Sequence, residues 1–233
     1  QFQRNFLVPG FDFRVPVTLQ NYTRGEYGYP GDTIDDIKRK LPSWLRTQNR
    51  AVTGSDYETV AGQFSTEFQG QIGKAKAILR QYGCAANVID LYVLALDSPS
   101  NLVEASDGLK AALSDKLDTV KMITDKVCIR DGVVIQVDVA LDVIVDKFYR
   151  KFEDEIRTRI VNEINNFFSL NSWDYGQDLK STDMIKQLSD INEIRSTEVN
   201  FVTDNQSNSG SVVTARFFEV IRPSTIDINF IYE

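Results

Sequence analysis

Three aspartates are the side chains of this chain that come nearest to a recognisable chemistry. Asp35 and Asp36 are adjacent, and Asp178 follows much later. Carboxylate oxygens bind Mg²⁺ and Ca²⁺, so these residues would suit an acidic metal- or ligand-binding α+β domain of an enzyme. However, neighbouring positions on a helix point about 100° apart, and no third ligand is visible. Acids in the first turn of a helix also complement its dipole, and we favour that explanation.

The amino-acid composition excludes most other catalytic mechanisms. The 233 residues include no histidine, which excludes histidine-based general bases, serine–histidine and cysteine–histidine pairs, and imidazole metal sites. Cys84 and Cys128 are far apart, so we expect free buried thiols, consistent with assembly in a reducing cytoplasm. Gly25, Gly28 and Gly31 match no phosphate-binding spacing and are interpreted as turns. We predict no catalytic residue, no cofactor, no metal and no enzymatic activity.

The charge balance bears on the class of partner. The net charge is −7 and the sequence pI is about 4.8, which disfavours a nucleic-acid partner because phosphate binding requires clustered Lys and Arg. No apolar run approaches the roughly 20 residues of a membrane span, so we expect no membrane partner. The chain begins with Gln1 without a signal-peptide pattern, and we expect a fragment or a processed product.

A long strand is the clearest element. From Val133 to Val145 the odd-numbered positions are all apolar, whereas Gln136, Asp138 and Asp142 lie on the other face. The run exceeds the usual ~3–10 residues of a strand, so we expect a bend or a bulge.

A long amphipathic helix follows this strand, with Asp146 as its N-cap. Its inward side chains are expected to recur at every fourth position: Phe148, Phe152, Ile156, Ile160, Ile164 and Phe168. The acidic cluster Glu153-Asp154-Glu155 falls in the middle of this helix, where Glu153 and Glu155 can pair with Arg157 and Arg159. We interpret it as a solvated face, the alternative being a docking surface for a neighbouring subunit.

Shorter helices are predicted around this pair. One extends from Thr33 to Lys40 and stops at Pro42, and a second begins at the capping box Ser55-Asp56-Tyr57-Glu58. A third, capped by Ser100 or Asn101, directs an apolar stripe inward: Leu102, Ala105, Leu109, Leu113 and Leu117.

The last thirty residues contain two β-like runs. Val212–Ile221 and Thr225–Tyr232 are separated by Pro223, and they suit a hairpin or an edge that pairs with another chain. Trp44 and Trp173 flank helices and could anchor an interface, although a lone Trp more often packs locally.

One motif resembles a known family. Asn49-Arg50-Ala51-Val52-Thr53 followed by Asp56-Tyr57 is similar to the motif of the baseplate J-like family, the wedge proteins of contractile phage tails, with which the large wedge subunit of T-even-like phages belongs. The elements after it also follow that family's order, including the strand Val88–Leu94 and the aromatic-glycine turn at Tyr175-Gly176. The resemblance spans about residues 46 to 202.

This resemblance implies a structural protein. Such a chain would be a baseplate wedge subunit in the virion tail, assembled in the host cytoplasm. It would self-associate as a homodimer or higher and bind other wedge and hub proteins in a ring that rearranges on contraction and genome ejection. The equivalent subunit of a bacterial contractile injection system is an alternative, as is the acidic enzyme domain.

The expected fold is α+β, with mixed β-sheets and packed amphipathic helices. We divide the chain into an N-terminal arm of strands and a short helix (1–45), the J-like α+β region (46–202) and a C-terminal β segment (203–233).

Overall fold

The computed structural model confirms an α+β fold of helices packed on mixed sheets. It describes residues 2–7, 14–19, 33–66, 69–82, 86–98, 101–170, 172–203 and 210–232. The glycines at 25, 28 and 31 and Cys84 lie outside the described residues, whereas Cys128 is a free, partly buried thiol.

The first sheet carries two helices. Its strands follow the order β3-β4-β5-β6, and β7 pairs in parallel with β5. The bounds are β3 Ser65–Thr66, β4 Gly70–Tyr82, β5 Ala86–Ser98, β6 Asn101–Val103 and β7 Asp125–Asp131, with α2 Gly54–Gly62 and α3 Asp107–Asp118. The leucines of α3 are fully buried in one hydrophobic cluster with Tyr57 of α2 and Ile89 of β5.

The second sheet is built on the strand with the clearest alternation. β8, at its centre, pairs antiparallel with β10 and parallel with β12. The bounds are β8 Val133–Val145, α4 Glu153–Phe167, α5 Ser181–Leu188, β10 Ile194–Thr203 and β12 Glu219–Tyr232. Two small antiparallel pairs complete the description: β1 Phe2–Leu7 with β2 Arg14–Leu19, and β9 Leu179–Lys180 with β11 Val212–Val213. The buried side chains of this sheet and its helices form a second cluster, which also includes Leu94 and Leu102.

The strand predicted at β8 is confirmed and its predicted buried face is confirmed from Val137 onward, whereas Val133 is 44% exposed. The predicted bulge lies in the neighbouring strand. The alternate valines and the leucine from Val137 to Val145 are buried. In β12, Ser224 and Thr225 together lie opposite Asp138, so the bulge is in the partner strand. The Asp138 Oδ1 atom fills this bulge, accepting hydrogen bonds from the Thr225 N–H (3.1 Å) and hydroxyl (2.5 Å).

The helix after β8 differs from the prediction at its start. Asp146 is an N-cap, accepting from the Phe148 N–H at 3.1 Å, but it caps a 3₁₀ helix, Lys147–Phe152. This helix has three residues per turn, so the fourfold spacing does not hold there, and Phe148 is 86% exposed and Phe152 54% exposed. Their predicted inward orientation is wrong. The predicted burial of Ile156, Ile160, Ile164 and Phe168 is confirmed. The acidic cluster 153–155 accordingly lies in the first turn of α4, not mid-helix.

Two helix starts and one helix end also differ. The first helix, α1, extends over Ile34–Thr47 with Pro42 inside it, and it ends where Gln48 adopts a φ of 47°. For α2, the N-cap is Thr53 and not Ser55, since the Thr53 N–H donates to Asp56 Oδ2 at 2.9 Å. The N-cap of α3 is Ser106, not Ser100 or Asn101, because Leu102 lies on β6.

The C-terminal segment is an edge strand and not a hairpin. β12 is one strand that continues past Pro223, which the bulge accommodates, and it runs parallel to β8 at the end of the strand order. A hairpin would need two adjacent antiparallel strands, whereas Val212–Val213 pairs with β9 instead. The segment boundaries at residues 45 and 202 stay predictions.

Candidate assembly surface

The motif that resembles the baseplate family forms the junction between α1 and α2. Its backbone turns sharply, because Gln48 and Asn49 both have positive φ angles (47° and 62°). The Ala51 N–H then donates to Val120 O at 2.9 Å, which fixes the segment to the end of α3. This turn determines where α1 projects from the first sheet.

Asp56 secures the second half of the motif. Its buried carboxylate accepts the N–H groups of Thr53 (2.9 Å) and Val52 (3.3 Å). Burial alone would raise the pKa of Asp56, but these hydrogen bonds and the nearby Arg46 hold the pKa below its ordinary value. The charged form is therefore part of the folded structure.

Tyr57 links the motif to the start of β7. Its hydroxyl donates to Asp125 Oδ2 at 2.9 Å and accepts the Met122 N–H at 3.4 Å. Burial, followed by the hydrogen bond to Asp125, raises the pKa of Tyr57. The motif therefore acts structurally, holding α2 on the first sheet and α1 at its margin.

α1 presents its apolar face to solvent. The polar residues Asp36, Lys40 and Ser43 are partly covered and Thr47 is buried, so the polar face is turned inward. The opposite face is an exposed stripe, which we call the α1 stripe: Ile34, Ile37, Leu41, Trp44 and Leu45. Ile34 is 72% exposed and Trp44 is 52% exposed. A helix with this orientation leaves its apolar surface available for another molecule.

A cavity adjoins the C-terminal end of the α1 stripe. Its volume is about 330 Å³, and it lies between α1, α2 and α3. Trp44, Val60 and Phe64 supply apolar lining, and Lys116 supplies a cation. The α1 stripe and the cavity share Trp44 and so form one contiguous surface, in which the apolar side chains of α1 protrude and the cavity is concave.

Two of the three aspartates considered as metal ligands, Asp36 and Asp178, have structural roles. Asp36 accepts hydrogen bonds from Thr33, which most strongly lower its pKa, and pairs with Arg39 at 2.6 Å. Asp35 lies 3.6 Å from Lys38 at the surface. Asp178 accepts the Ala215 N–H at 3.0 Å, beside the second sheet. Within the residues that the structure describes, no three such side chains converge on a possible metal position.

The acidic cluster on α4 is ion-paired as predicted. Glu153 lies 3.4 Å from Arg157, and Glu155 lies 3.0 Å from Arg159. Glu153 also accepts the Tyr232 hydroxyl at 2.6 Å, and this hydrogen bond is the main reason that the pKa of Glu153 is lowered. Arg157 donates to the Ile228 carbonyl at 3.3 Å. The cluster therefore fastens the end of β12 to α4.

The two tryptophans have different environments. Trp173 is buried against Phe167 and Phe168, with ring centroids 5.2 and 5.4 Å away. Trp44 is exposed on the α1 stripe. Of the two tryptophans weighed as interface anchors, only Trp44 is on the surface.

The comparisons with known proteins found a similarity of fold and no similarity of sequence. No family model matches the chain, and no curated protein matches it. A chain in the cryo-EM structure of the anti-feeding prophage (AFP) baseplate, 6-fold symmetrised, superposes with a TM-score of 0.53 at 11% sequence identity. The fold is similar to that of this baseplate chain. The match covers 85% of the present chain but 42% of the other, so the present chain spans less than half of that protein.

The sequence interpretation missed the α1 stripe and a charged triad on the first sheet. The spacing of Ile34, Ile37 and Leu41 is visible in the sequence, but ending the helix at Pro42 removed the second half of the stripe. The triad consists of buried Asp90 with Arg80 (2.6 Å) and Arg130 (3.0 Å), from three neighbouring strands. No sequence pattern brings these residues together. No helix in the described part of the chain is long and apolar enough to cross a membrane.

Proposed function

We propose that this chain is a structural subunit of the baseplate of a contractile tail or injection system. In this role it is part of a wedge, self-associates, and binds neighbouring wedge and hub proteins in a ring around the hub. The observation that carries the proposal is the fold match to the AFP baseplate chain over 85% of this chain. The resemblance at Asn49 to Tyr57 points to the same class independently.

The surface of the chain supports a role in assembly. The α1 stripe places five apolar side chains in solvent on one helix. Surface patches of this kind mark contacts with other macromolecules. β12 adds an edge strand to the second sheet, and edge strands can pair with a strand of another chain.

The mechanism in this proposal is repacking of subunit contacts. The buried cluster of the second sheet also includes Leu94 and Leu102 of the first sheet, so the contacts that change in this proposal are those between subunits. Contraction then selects between alternative sets of contacts, without making or breaking a covalent bond. The chain is not an enzyme in this account. The carboxylates of Asp36 and Asp178 support it, because the first accepts hydrogen bonds from Thr33 in a helix cap and the second accepts a backbone N–H.

Electron microscopy of labelled particles tests the proposal. An epitope tag on the full chain, expressed in its source organism, is detected with gold-labelled antibody on purified contractile particles. The proposal expects label at the baseplate end of the tail in phage virions or in injection particles, and the particle type separates these two settings. Label confined to material that is not particle-bound would refute it.

Light scattering tests self-association separately. Size-exclusion chromatography with multi-angle scattering is expected to show a mass that increases with protein concentration. A monomer at all concentrations, together with gold label at the baseplate, would retain the assembly role and reject self-association.

A further inference from the structure

The α1 stripe has the spacing of a two-heptad coiled-coil seam. Ile34, Ile37, Leu41 and Trp44 are separated by three, four and three residues, which are the steps between successive a and d positions. Leu45 widens the stripe beside Trp44. A helix that pairs through such positions inserts its side chains between those of a second helix. The geometry therefore suits a helical occupant.

Charged residues on α1 distinguish between possible helical occupants. Four cations and two carboxylates on Ile34–Thr47 give this helix a net charge of +2, although the whole chain is −7. In the heptad, Lys38 takes an e position and Lys40 a g position, so a lysine flanks each side of the stripe. The contact of Lys38 with Asp35 is highly exposed on both sides, and such pairs contribute little.

A second copy of α1 would be a poor match. In an antiparallel pair, Lys38 lies near the other copy's Lys38, and Lys40 lies near the other Lys40. In a parallel pair, Lys38 faces Thr33 and Lys40 faces Leu45. Neither orientation places an acid opposite these lysines, and in the antiparallel pair the like charges oppose pairing.

The cavity beside Trp44 also has a lysine in its lining, so it favours an acidic partner as the α1 stripe does. Lys116 reaches its lining from α3, and this lysine makes no ion pair within the described part of the chain. The apolar lining from Val60 and Phe64 suits an apolar side chain, and Lys116 contributes to the same lining. A helix on the α1 stripe can insert one side chain here.

We propose that the α1 stripe binds an amphipathic helix of a different protein whose apolar seam is flanked by Glu or Asp. This inference rests on the proposed function, since it names the chemistry of one neighbouring subunit. The apolar stripe supplies the buried contact. Lys38 and Lys116 select acidic flanks over basic ones.

Two designed peptides test the proposal directly. Each is about three heptads long, with Leu at a and d, and carries either Glu or Lys at every e and g position. Like charges at these positions keep the peptides from pairing with themselves. Each is titrated into the full chain by calorimetry, and Trp44 emission is followed as the difference between wild type and Trp44→Phe. We expect the Glu peptide to bind and shift Trp44 emission to shorter wavelength, and the Lys peptide to bind roughly tenfold more weakly or not at all.

Matched variants assign binding to the stripe. Leu41→Gln should weaken binding of the Glu peptide by about tenfold or more, whereas Phe148→Gln, at an exposed aromatic residue outside α1, should leave binding unchanged. Lys38→Glu should reduce the preference for the Glu peptide over the Lys peptide. Equal unfolding midpoints for all variants in urea would exclude misfolding as the cause.

Several outcomes would overturn the inference. Equal binding of both peptides would reject the charge selection. If neither peptide binds, Trp44 emission in the free chain and the mass by light scattering identify the occupant. A shielded Trp44 in a monomer indicates the chain's own N-terminal arm, a shielded Trp44 in a dimer indicates a second copy, and an exposed Trp44 indicates no helix site. Each rejects this inference without affecting the gold-label test of the baseplate role.

Discussion

The Tyr57 hydroxyl donates a hydrogen bond to Asp125, and these two oxygen atoms lie 2.9 Å apart although 68 residues separate the residues in the chain. Asp125 also accepts from Asn87 at 3.3 Å and Thr124 at 3.2 Å. The contact therefore joins α2, β5 and the start of β7 at one buried carboxylate.

Tyr57→Phe should lower the free energy of unfolding by about 1.5–3 kcal/mol, because a buried hydrogen bond to a charged group is lost. Urea unfolding followed by circular dichroism measures this. Tyr149→Phe, at an exposed tyrosine of the 3₁₀ helix, is the control and should change stability by less than about 0.5 kcal/mol. Equal effects of the two substitutions would contradict the role of Tyr57.

The boundary between the 3₁₀ helix and α4 predicts opposite results for two apolar positions. Ile160→Ala should cost about 2–5 kcal/mol of unfolding free energy, since Ile160 is fully buried against the second sheet. Phe148→Ala should cost less than about 0.5 kcal/mol because Phe148 is exposed. The same urea experiment compares the two variants. A large loss of unfolding free energy in Phe148→Ala would show that Phe148 is buried.

Gly132 and Tyr175 are predicted to interact in a double-mutant cycle. A Cβ atom at residue 132 would overlap the Tyr175 hydroxyl and lie 2.9 Å from Leu94 Cγ, so Gly132→Ala should cost about 1–3 kcal/mol. The buried Tyr175 hydroxyl has no hydrogen-bond partner within the described residues. Tyr175→Phe should therefore be neutral or stabilise by up to about 1 kcal/mol.

The double variant should recover part of the loss, because removing the hydroxyl opens space for the new Cβ. Strict additivity in unfolding free energy would show that the loss comes from Leu94 or the backbone instead.

Acid should remove the contribution of Asp56. Its pKa is lowered in the folded chain, so it stabilises the fold above the ordinary aspartate value of 3.8, and this contribution is lost as the pH falls through the lowered value. Asp56→Asn should therefore be less stable than wild type near neutral pH, with a difference that narrows below pH 3.8. Urea midpoints across pH measure this, with exposed Asp227→Asn as the matched control. A difference that is constant with pH would assign the effect to geometry alone.

The elements that the sequence predicted well are those where one short-range pattern decides the structure. β8 alternates strictly enough to set its bounds, and the leucines of α3 identify its buried face. These patterns need no information about distant residues.

The sequence predictions fail where a contact between distant residues, or an exception to a local rule, determines the structure. The sequence does not show that Gly132 separates two sheets: its N–H donates to Val93 O at 3.0 Å, whereas the Val133 N–H donates to Phe218 O at 2.9 Å. Pro42 usually ends a helix, but α1 continues for five residues beyond it. The outward direction of its apolar face depends on the turn at Asn49, which no helical periodicity encodes.

The parallel pairing of β8 with β12 also has a consequence for biosynthesis. Val133 pairs with Glu219, so the middle strand of the second sheet has one side without its final neighbour until residues 219–232 have left the ribosome. The first sheet closes much earlier, since β4, β5 and β7 follow each other closely. The nascent chain is therefore expected to acquire protease resistance in two steps, the first sheet before the second.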